Sequence, residues 1–142
     1  MPLTLATAQI IVRDALAEAR SRASKPLCVV VLDARSAVTA TASEDGTSLR
    51  RFEIARGKAS GALAFNVGSR KLGDMAVERP HFVAAVTHLI EGGLVPVAGG
   101  VLIRDKDGVV LGAVGISGDN SDNDESAAAA GIAAAGFVPD GG

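Results

Sequence analysis

The segment Leu94 to Ser117 constrains the fold more than any other part of this chain. It reads LVPVAGGVLIRDKDGVVLGAVGIS, two apolar runs on either side of a short polar turn. Within that turn, Asp107-Gly108 supplies the positive φ values that a tight hairpin needs. Aliphatic and β-branched residues favour strands on both sides of it. The segment therefore predicts a β-hairpin and, with it, an antiparallel sheet.

A second hairpin is predicted upstream, where the runs LCVVVLD and AVTATAS are joined by a tight connection from Asp33 to Ser36. Five helical segments surround the two hairpins. We expect a helix capped by Thr4 that runs to about Arg22, one capped by Ser48, a short turn at Arg70–Met75, one from about Pro80, and one from Asn120 or Ser121 to about Gly136 before a frayed tail. The predicted fold is α/β (α+β): one antiparallel sheet of about four to five strands with helices packed on it, in a single domain over residues 1–142.

Composition excludes several classes of function. The chain has 142 residues, 48% of them hydrophobic, with a mean hydropathy of +0.31, and it lacks an apolar run long enough to span a membrane. Its first residues do not resemble a secretory leader, so we expect a cytoplasmic protein. A net charge of -2 without Trp or Tyr argues against nucleic-acid binding. The single cysteine, Cys28, excludes an internal disulfide and multi-cysteine metal sites and is expected to be a small buried hydrophobe.

A polar cluster, SGDNSDNDE, follows the second hairpin. It lacks the second glycine of a nucleophile elbow and the central glycine of a calcium loop. Ser121 as an N-cap, with Asp124 three residues later, accounts for most of its acidity. Asp119 is not explained in this way, and we expect Ser117, Gly118 and Asp119 to line a site facing the basic helix.

That basic helix reads LRRFEIARGKASGALAF. Its positive charges lie in the first half, where the helix dipole favours acids. Two interpretations remain open: a solvated face with ion pairs to acids elsewhere, or a contact with an anion. The small side chains of the helix would allow close backbone packing, oligomerisation or the approach of a flat ligand.

Three segments together, CVVVLDARSAVTATASEDG, IARGKASGALAF and the second hairpin with its exit GISGDNSDNDESAAAAGI, resemble the GlcG/HbpS-like family. This family is also called the haem-degrading domain family and includes the C-terminal domain of PduO. The resemblance implies a profilin-like or PAS-like α/β domain that assembles into homo-oligomers, and it implies haem or a related tetrapyrrole as a possible small-molecule ligand. The connection Ala34-Arg35-Ser36 and the strand ATASEDG depart from the family pattern.

Haem iron takes His, Met or Cys ligands, and this chain offers few of them. His81 and His88 lie seven residues apart, about two helical turns, so they can share one side of a helix. Arg51, Arg56 and Lys58 would suit haem propionates or another carboxylate. The candidate residues for binding a cofactor are His81, His88, Arg51, Arg56, Gly99, Gly100, Ser117, Gly118 and Asp119.

Two alternatives to haem binding remain open. One is a cofactor-independent enzyme, such as an isomerase or dehydratase acting on a small carboxylate, with a desolvated Lys58 and with Asp33, Glu53 or Asp124 as the general base. The other is an accessory homo-oligomer without a ligand of its own.

Overall fold

A computed structural model describes residues 2–142 of the chain. Five strands form one antiparallel sheet in the order β2-β1-β4-β3-β5, which confirms the predicted fold class. No helix in the described part of the chain is both long and apolar enough to cross a membrane. The elements are α1 (Leu5–Ser21), β1 (Cys28–Asp33), β2 (Val38–Ser43), α2 (Arg51–Phe65), α3 (Ser69–Glu78), α4 (Pro80–Val86), a 3-10 turn (Thr87–Leu89), β3 (Gly100–Arg104), β4 (Val110–Ser117), α5 (Ser121–Ala134) and β5 (Val138–Asp140).

Both predicted hairpins are present. Strands β1 and β2 pair from Cys28 opposite Ser43, and β3 and β4 pair from Gly100 opposite Gly115. The hairpins join where β1 pairs with β4, with Cys28 opposite Ser117 at one end of the sheet. The first residue of β1 and the last residue of β4 therefore lie side by side at the same end of the sheet.

The sheet lies between two helical layers because its strands bury side chains on both faces. Helices α1 and α5 pack on the face that carries Val29, Val31, Val101, Ile103, Val114 and Ile116. Helix α2 packs on the opposite face, against Cys28, Val30, Leu32, Leu102 and Ala113. Cys28 is fully buried, as expected for a small hydrophobe. Helices α3 and α4 form a smaller apolar cluster around Leu72, Val83 and Leu94.

The small side chains of α2 and β4 permit unusually close packing. A Cβ atom at Gly115 would overlap the backbone carbonyl of Ala55 and lie 3.1 Å from the side chain of Ala59. Glycine in a strand interior is used where another backbone approaches closely. Of the three uses considered for these small residues, close backbone packing is therefore the one that the fold displays.

Three boundaries differ from the predictions. Helix α3 is a complete ten-residue helix, longer than the predicted turn at residues 70–75. Strand β3 begins at Gly100 and not near Leu94, because Gly99 adopts φ +122° and redirects the chain. The predicted frayed tail contains β5, which pairs with β3 and is joined to it by an ion pair from Arg104 Nε to Asp140 Oδ2 at 2.8 Å.

The helix caps were predicted with mixed success. Thr4 caps α1 as expected, because its side chain accepts a hydrogen bond from Thr7 N. Ser48 does not cap α2, which starts at Arg51 without any side-chain cap. The cap of α5 is Asn120, whose side chain accepts from Asn123 N at 2.8 Å, and the prediction of Ser121 was wrong by one residue.

Candidate functional site

The strand-exit cluster, which we define as Arg51, Lys58, Ser117, Asp119 and Asp124, lies at the end of β4. Its centre is Lys58, whose side chain extends from α2 past the end of β4. Lys58 Nζ donates to the backbone carbonyl of Ile116 at 2.9 Å and to Asp124 Oδ2 at 3.1 Å. Both side chains are only 2% exposed. A charged pair this deeply buried is uncommon, because each charge must be compensated by its partners.

Asp124 lies in the first turn of α5, as the sequence predicts, but the capping role that the sequence also suggested for it is wrong. It was predicted to accompany an N-cap, but its carboxylate faces inward and connects two layers. Oδ2 accepts from Lys58, and Oδ1 accepts from the backbone N–H of Asp119 at 3.1 Å. An acid in the first turn of a helix normally needs no partner beyond the dipole, so the sequence carried no signal of its burial.

Burial acts on the pKa values of both members of the pair. It lowers the pKa of Lys58 and raises the pKa of Asp124, because desolvation penalises each charged form. Their mutual attraction and hydrogen bond oppose both shifts. The pair is thus a desolvated acid and base in direct contact, held away from solvent.

Three of the candidate glycines, at positions 99, 100 and 118, lie so close to neighbouring atoms that a side chain would not fit. A Cβ atom at Gly99 would lie 2.8 Å from Lys58 Nζ, and one at Gly100 would overlap the Lys58 backbone carbonyl. Gly118, at φ +152°, lies against the carbonyl of Pro26 in the same manner. The structure uses these positions to admit the lysine and to turn the chain after β4.

Asp119 organises the loop between β4 and α5. Its Oδ1 accepts from Asn120 N at 2.8 Å, and its Oδ2 accepts from the Asn123 side chain at 3.2 Å. These bonds, the backbone N–H of Asn120 first, lower the pKa of Asp119. The carboxylate is therefore engaged in shaping the loop that Asp124 also holds.

Arg51 lies over the exit of β4, at the start of α2. Its Nε donates to Ser48 Oγ at 3.0 Å and its Nη1 donates to Ser117 Oγ at 3.2 Å. Arg51 is half-buried, whereas Ser117 is only 1% exposed. The predicted proximity of Ser117 to the basic helix is thus present in the structure as a direct contact.

The histidines lie elsewhere, on the segment that follows α3. His81 is in α4 and His88 in the 3-10 turn, and both are exposed. Arg56 approaches the end of this segment, with its Nη2 3.6 Å from Glu91 Oε1. Its Nε is buried and has no hydrogen-bond partner among residues 2–142. Arg56 is thus placed with the region after His88, separately from the strand-exit cluster.

The candidate acid–base residues do not form one site. Lys58 and Asp124 are in contact, but Asp33 ends β1 five residues beyond Cys28, about 17 Å away along the strand. Asp33 Oδ1 accepts from the backbone N–H groups of Arg35 and Ala37 in the hairpin turn. Glu53 is exposed and paired with Arg50. An enzyme activity through Lys58 remains a prediction, and it would require access to a side chain that is now enclosed.

The remaining acids of the polar cluster pair with a different helix. Asp122 and Glu125 both contact the Arg70 guanidinium of α3, with Glu125 Oε2 at 2.9 Å from Nη2. Among residues 2–142, ion pairing between the acids of this polar cluster and the basic helix is therefore limited to Lys58 with Asp124.

Comparison with known protein families decides the classification. A sequence model described as "Haem degrading protein HbpS-like" matches residues 3–133. The chain belongs to this family. The HbpS-like match covers both hairpins, the strand-exit cluster and the histidine segment. Among curated proteins, none matches the chain in sequence.

Solved structures with the same fold support the HbpS-like classification. A crystal structure of PduOC in complex with haem is 27% identical, with a TM-score of 0.84 over 96% of this chain and 97% of that one. A crystal structure of HbpS is 28% identical, with a TM-score of 0.80 over 94% of this chain and 89% of that one. The Klebsiella pneumoniae protein ORFY, 20% identical, shares the fold with a TM-score of 0.81 over 94% of this chain and 90% of that one.

Proposed function

We propose that this HbpS-like chain binds haem or a related tetrapyrrole. One observation carries the proposal: the likeness to PduOC, solved in complex with haem, extends over 96% of this chain at 27% identity. Family membership supports it independently, because the matching description is that of a haem-degrading protein. The residues of this chain must then offer a place for the propionates and for the iron.

Arg56 fits a haem propionate. Its Nε has no acceptor within the described chain, and buried donors without partners are rare in folded proteins. The competing contact to Glu91 is long, at 3.6 Å, and the Glu91 side chain is 92% exposed. A carboxylate can accept two parallel hydrogen bonds from a guanidinium, which makes it a suitable partner for this arginine.

His81 and His88 fit the iron. Imidazole is a common axial ligand of haem, and both side chains are exposed on the segment that leads to Glu91, which Arg56 approaches. Cys28 is excluded as a ligand because it is fully buried under α2. Bound haem would supply a redox-active iron, while the chain would orient it through an imidazole and hold its carboxylates.

Homo-oligomerisation is part of the proposal. Haem held by exposed histidines on one copy would leave much of its apolar ring in water, so a second copy that covers the ring would be favoured. Light scattering of the protein with and without hemin tests this part: a concentration-independent monomer in both samples would contradict it.

A hemin titration tests the proposal. We expect a saturable shift of the Soret band for the wild-type protein and for Lys106→Gln, a control in the exposed turn between β3 and β4. His81→Ala, His88→Ala and the double variant should change or abolish the Soret spectrum, because they remove the axial donors. Arg56→Gln should retain the spectrum with weaker affinity. If the wild-type protein shows no Soret shift, the proposal is overturned. If the double histidine variant has an unchanged spectrum, His81 and His88 are not the iron ligands.

A further inference from the structure

Arg51 has more hydrogen-bond donors than the protein uses. A guanidinium carries five N–H groups. Two of them are directed to Ser48 Oγ and Ser117 Oγ, at 3.0 and 3.2 Å, which leaves three without an acceptor among residues 2–142. The two hydroxyls fix the position of the guanidinium without neutralising its charge.

The acids of the strand-exit cluster, and Glu53 on α2, are engaged with other partners. Asp124 pairs with Lys58, Asp119 accepts from Asn120 and Asn123, and Glu53 pairs with Arg50. Within the described chain, no ion pair is formed by Arg51 itself. Within residues 2–142, the half-buried Arg51 therefore retains an unpaired charge at the exit of β4.

Ser117 supplies the second, independent indication. It is only 1% exposed, and its hydroxyl oxygen accepts from Arg51. Its own O–H has no acceptor in the described part of the chain, although a buried hydroxyl normally donates a hydrogen bond. Helix α2 begins beside it without a side-chain cap, and the N–H of Arg51 donates to the Ser48 carbonyl at 3.3 Å.

We propose that Arg51, Ser48 and Ser117 form a seat for a carboxylate, which we call the Arg51 seat. A carboxylate offers about four acceptor sites on two oxygens, matches the planar fork of the guanidinium and can accept a hydrogen bond from the Ser117 hydroxyl. The seat lies at the strand exit and uses neither histidine, so it goes beyond the proposed haem site. Its occupant is a small free carboxylate, which needs no haem, or a propionate of a tetrapyrrole, which rests on the proposed function; the two sources share the same chemistry.

Succinate provides the first arm of the test. In a titration of the haem-free protein followed by NMR, we expect saturable shifts of the Arg51 Nε–H signal and of the Ser117 amide. Arg51→Gln should weaken binding about tenfold or more, because it removes a charge-assisted hydrogen bond. Arg50→Gln is the matched control, since this neighbouring arginine is exposed and already paired with Glu53. It should bind succinate like the wild-type protein.

Hemin and its dimethyl ester provide the second arm. The ester has the same ring and iron but lacks free carboxylates. If the Arg51 seat holds a propionate, Arg51→Gln should weaken hemin binding and leave binding of the ester unchanged. Saturable succinate binding that Arg51→Gln removes supports the seat even where hemin does not bind at all. The proposal is overturned if neither succinate nor hemin responds to Arg51→Gln, or if Arg50→Gln has the same effect.

Discussion

Lys58 Nζ lies 3.1 Å from Asp124 Oδ2, and this ion pair joins the two helical layers around the end of the sheet. Lys58 belongs to α2, on one face, whereas Asp124 belongs to α5, on the other. The lysine side chain passes the end of β4, where Gly99 leaves room for it. The pair thus holds together elements that do not otherwise pack on each other.

Removing Lys58 should strongly destabilise the protein. Lys58→Met leaves the Asp124 carboxylate buried without its cation, and breaking a buried pair in this way costs about 3–5 kcal/mol. The loss should appear as a lower midpoint in urea denaturation. Arg50→Gln, which breaks an exposed pair with Glu53, should change the midpoint little.

A double variant tests whether the contributions of Lys58 and Asp124 to stability depend on each other. Lys58→Met with Asp124→Leu removes both charges, so its loss of stability should be clearly smaller than the sum of the two single losses. Additive losses in the same denaturation experiment would show that the two side chains do not depend on each other, which would contradict the contact.

The sequence was sufficient for both hairpins and for the positions of most helices, but not for this pair. Hairpin and helix patterns are local, so the turn at Asp107-Gly108 and the cap at Thr4 were predictable from a few neighbouring residues. The contact of Lys58 with Asp124 joins positions 66 residues apart. Both residues also had ordinary local explanations, as a basic face and as an acid near a helix start. Only the three-dimensional arrangement shows that both are enclosed.

The start of α5 can be tested by two adjacent substitutions. Asn120→Ala removes the side chain that accepts from Asn123 N, and loss of such a cap costs about 1 kcal/mol. Ser121→Ala should have a much smaller effect, because Ser121 is the first residue of the helix and makes no capping bond. Thermal unfolding of the two variants distinguishes them. A larger loss of stability for Ser121→Ala would show that Ser121 caps the helix, as the sequence suggested.

The candidate ligand residues divide into groups whose partners the sequence could not predict. Arg51 and Arg56 are five residues apart on one helix, yet Arg51 contacts Ser117 while Arg56 approaches Glu91. Spacing on a helix predicts which face a residue occupies, but not which distant loop covers that face. The short strand β5 escaped prediction for a related reason: three residues with a central Pro139 carry little strand signal, and pairing with β3 determines their conformation.

Close packing of α2 on β4 should make Gly115 intolerant of a side chain. In Gly115→Ala, the new methyl group would overlap the Ala55 carbonyl, so α2 must move away from the sheet. Overpacking of this kind costs about 1–3 kcal/mol or more, measurable by urea denaturation. Gly108→Asn is the control, because nothing lies within 4 Å of its Cβ position and Asn tolerates its positive φ. Equal stability of Gly115→Ala and the wild-type protein would contradict the packing.

Asp119 should make stability depend on pH on the acid side. Hydrogen bonds from Asn120 N and the Asn123 side chain lower its pKa in the folded state below the ordinary value of 3.8. The unfolded chain therefore binds the proton more readily, and stability falls as the pH falls. The contribution of Asp119 is complete above about pH 5 and is lost as the pH drops through the folded pKa.

Substituting Asp119 should remove this contribution. The stability difference between wild-type protein and Asp119→Ala, measured by urea denaturation, should be constant from about pH 5 to 7 and should shrink below about pH 4. Asp45→Ala serves as control, because the exposed Asp45 side chain makes no hydrogen bond to residues 2–142. A difference for Asp119→Ala that stays constant down to the lowest pH at which both proteins fold would show that its carboxylate is not held by these donors.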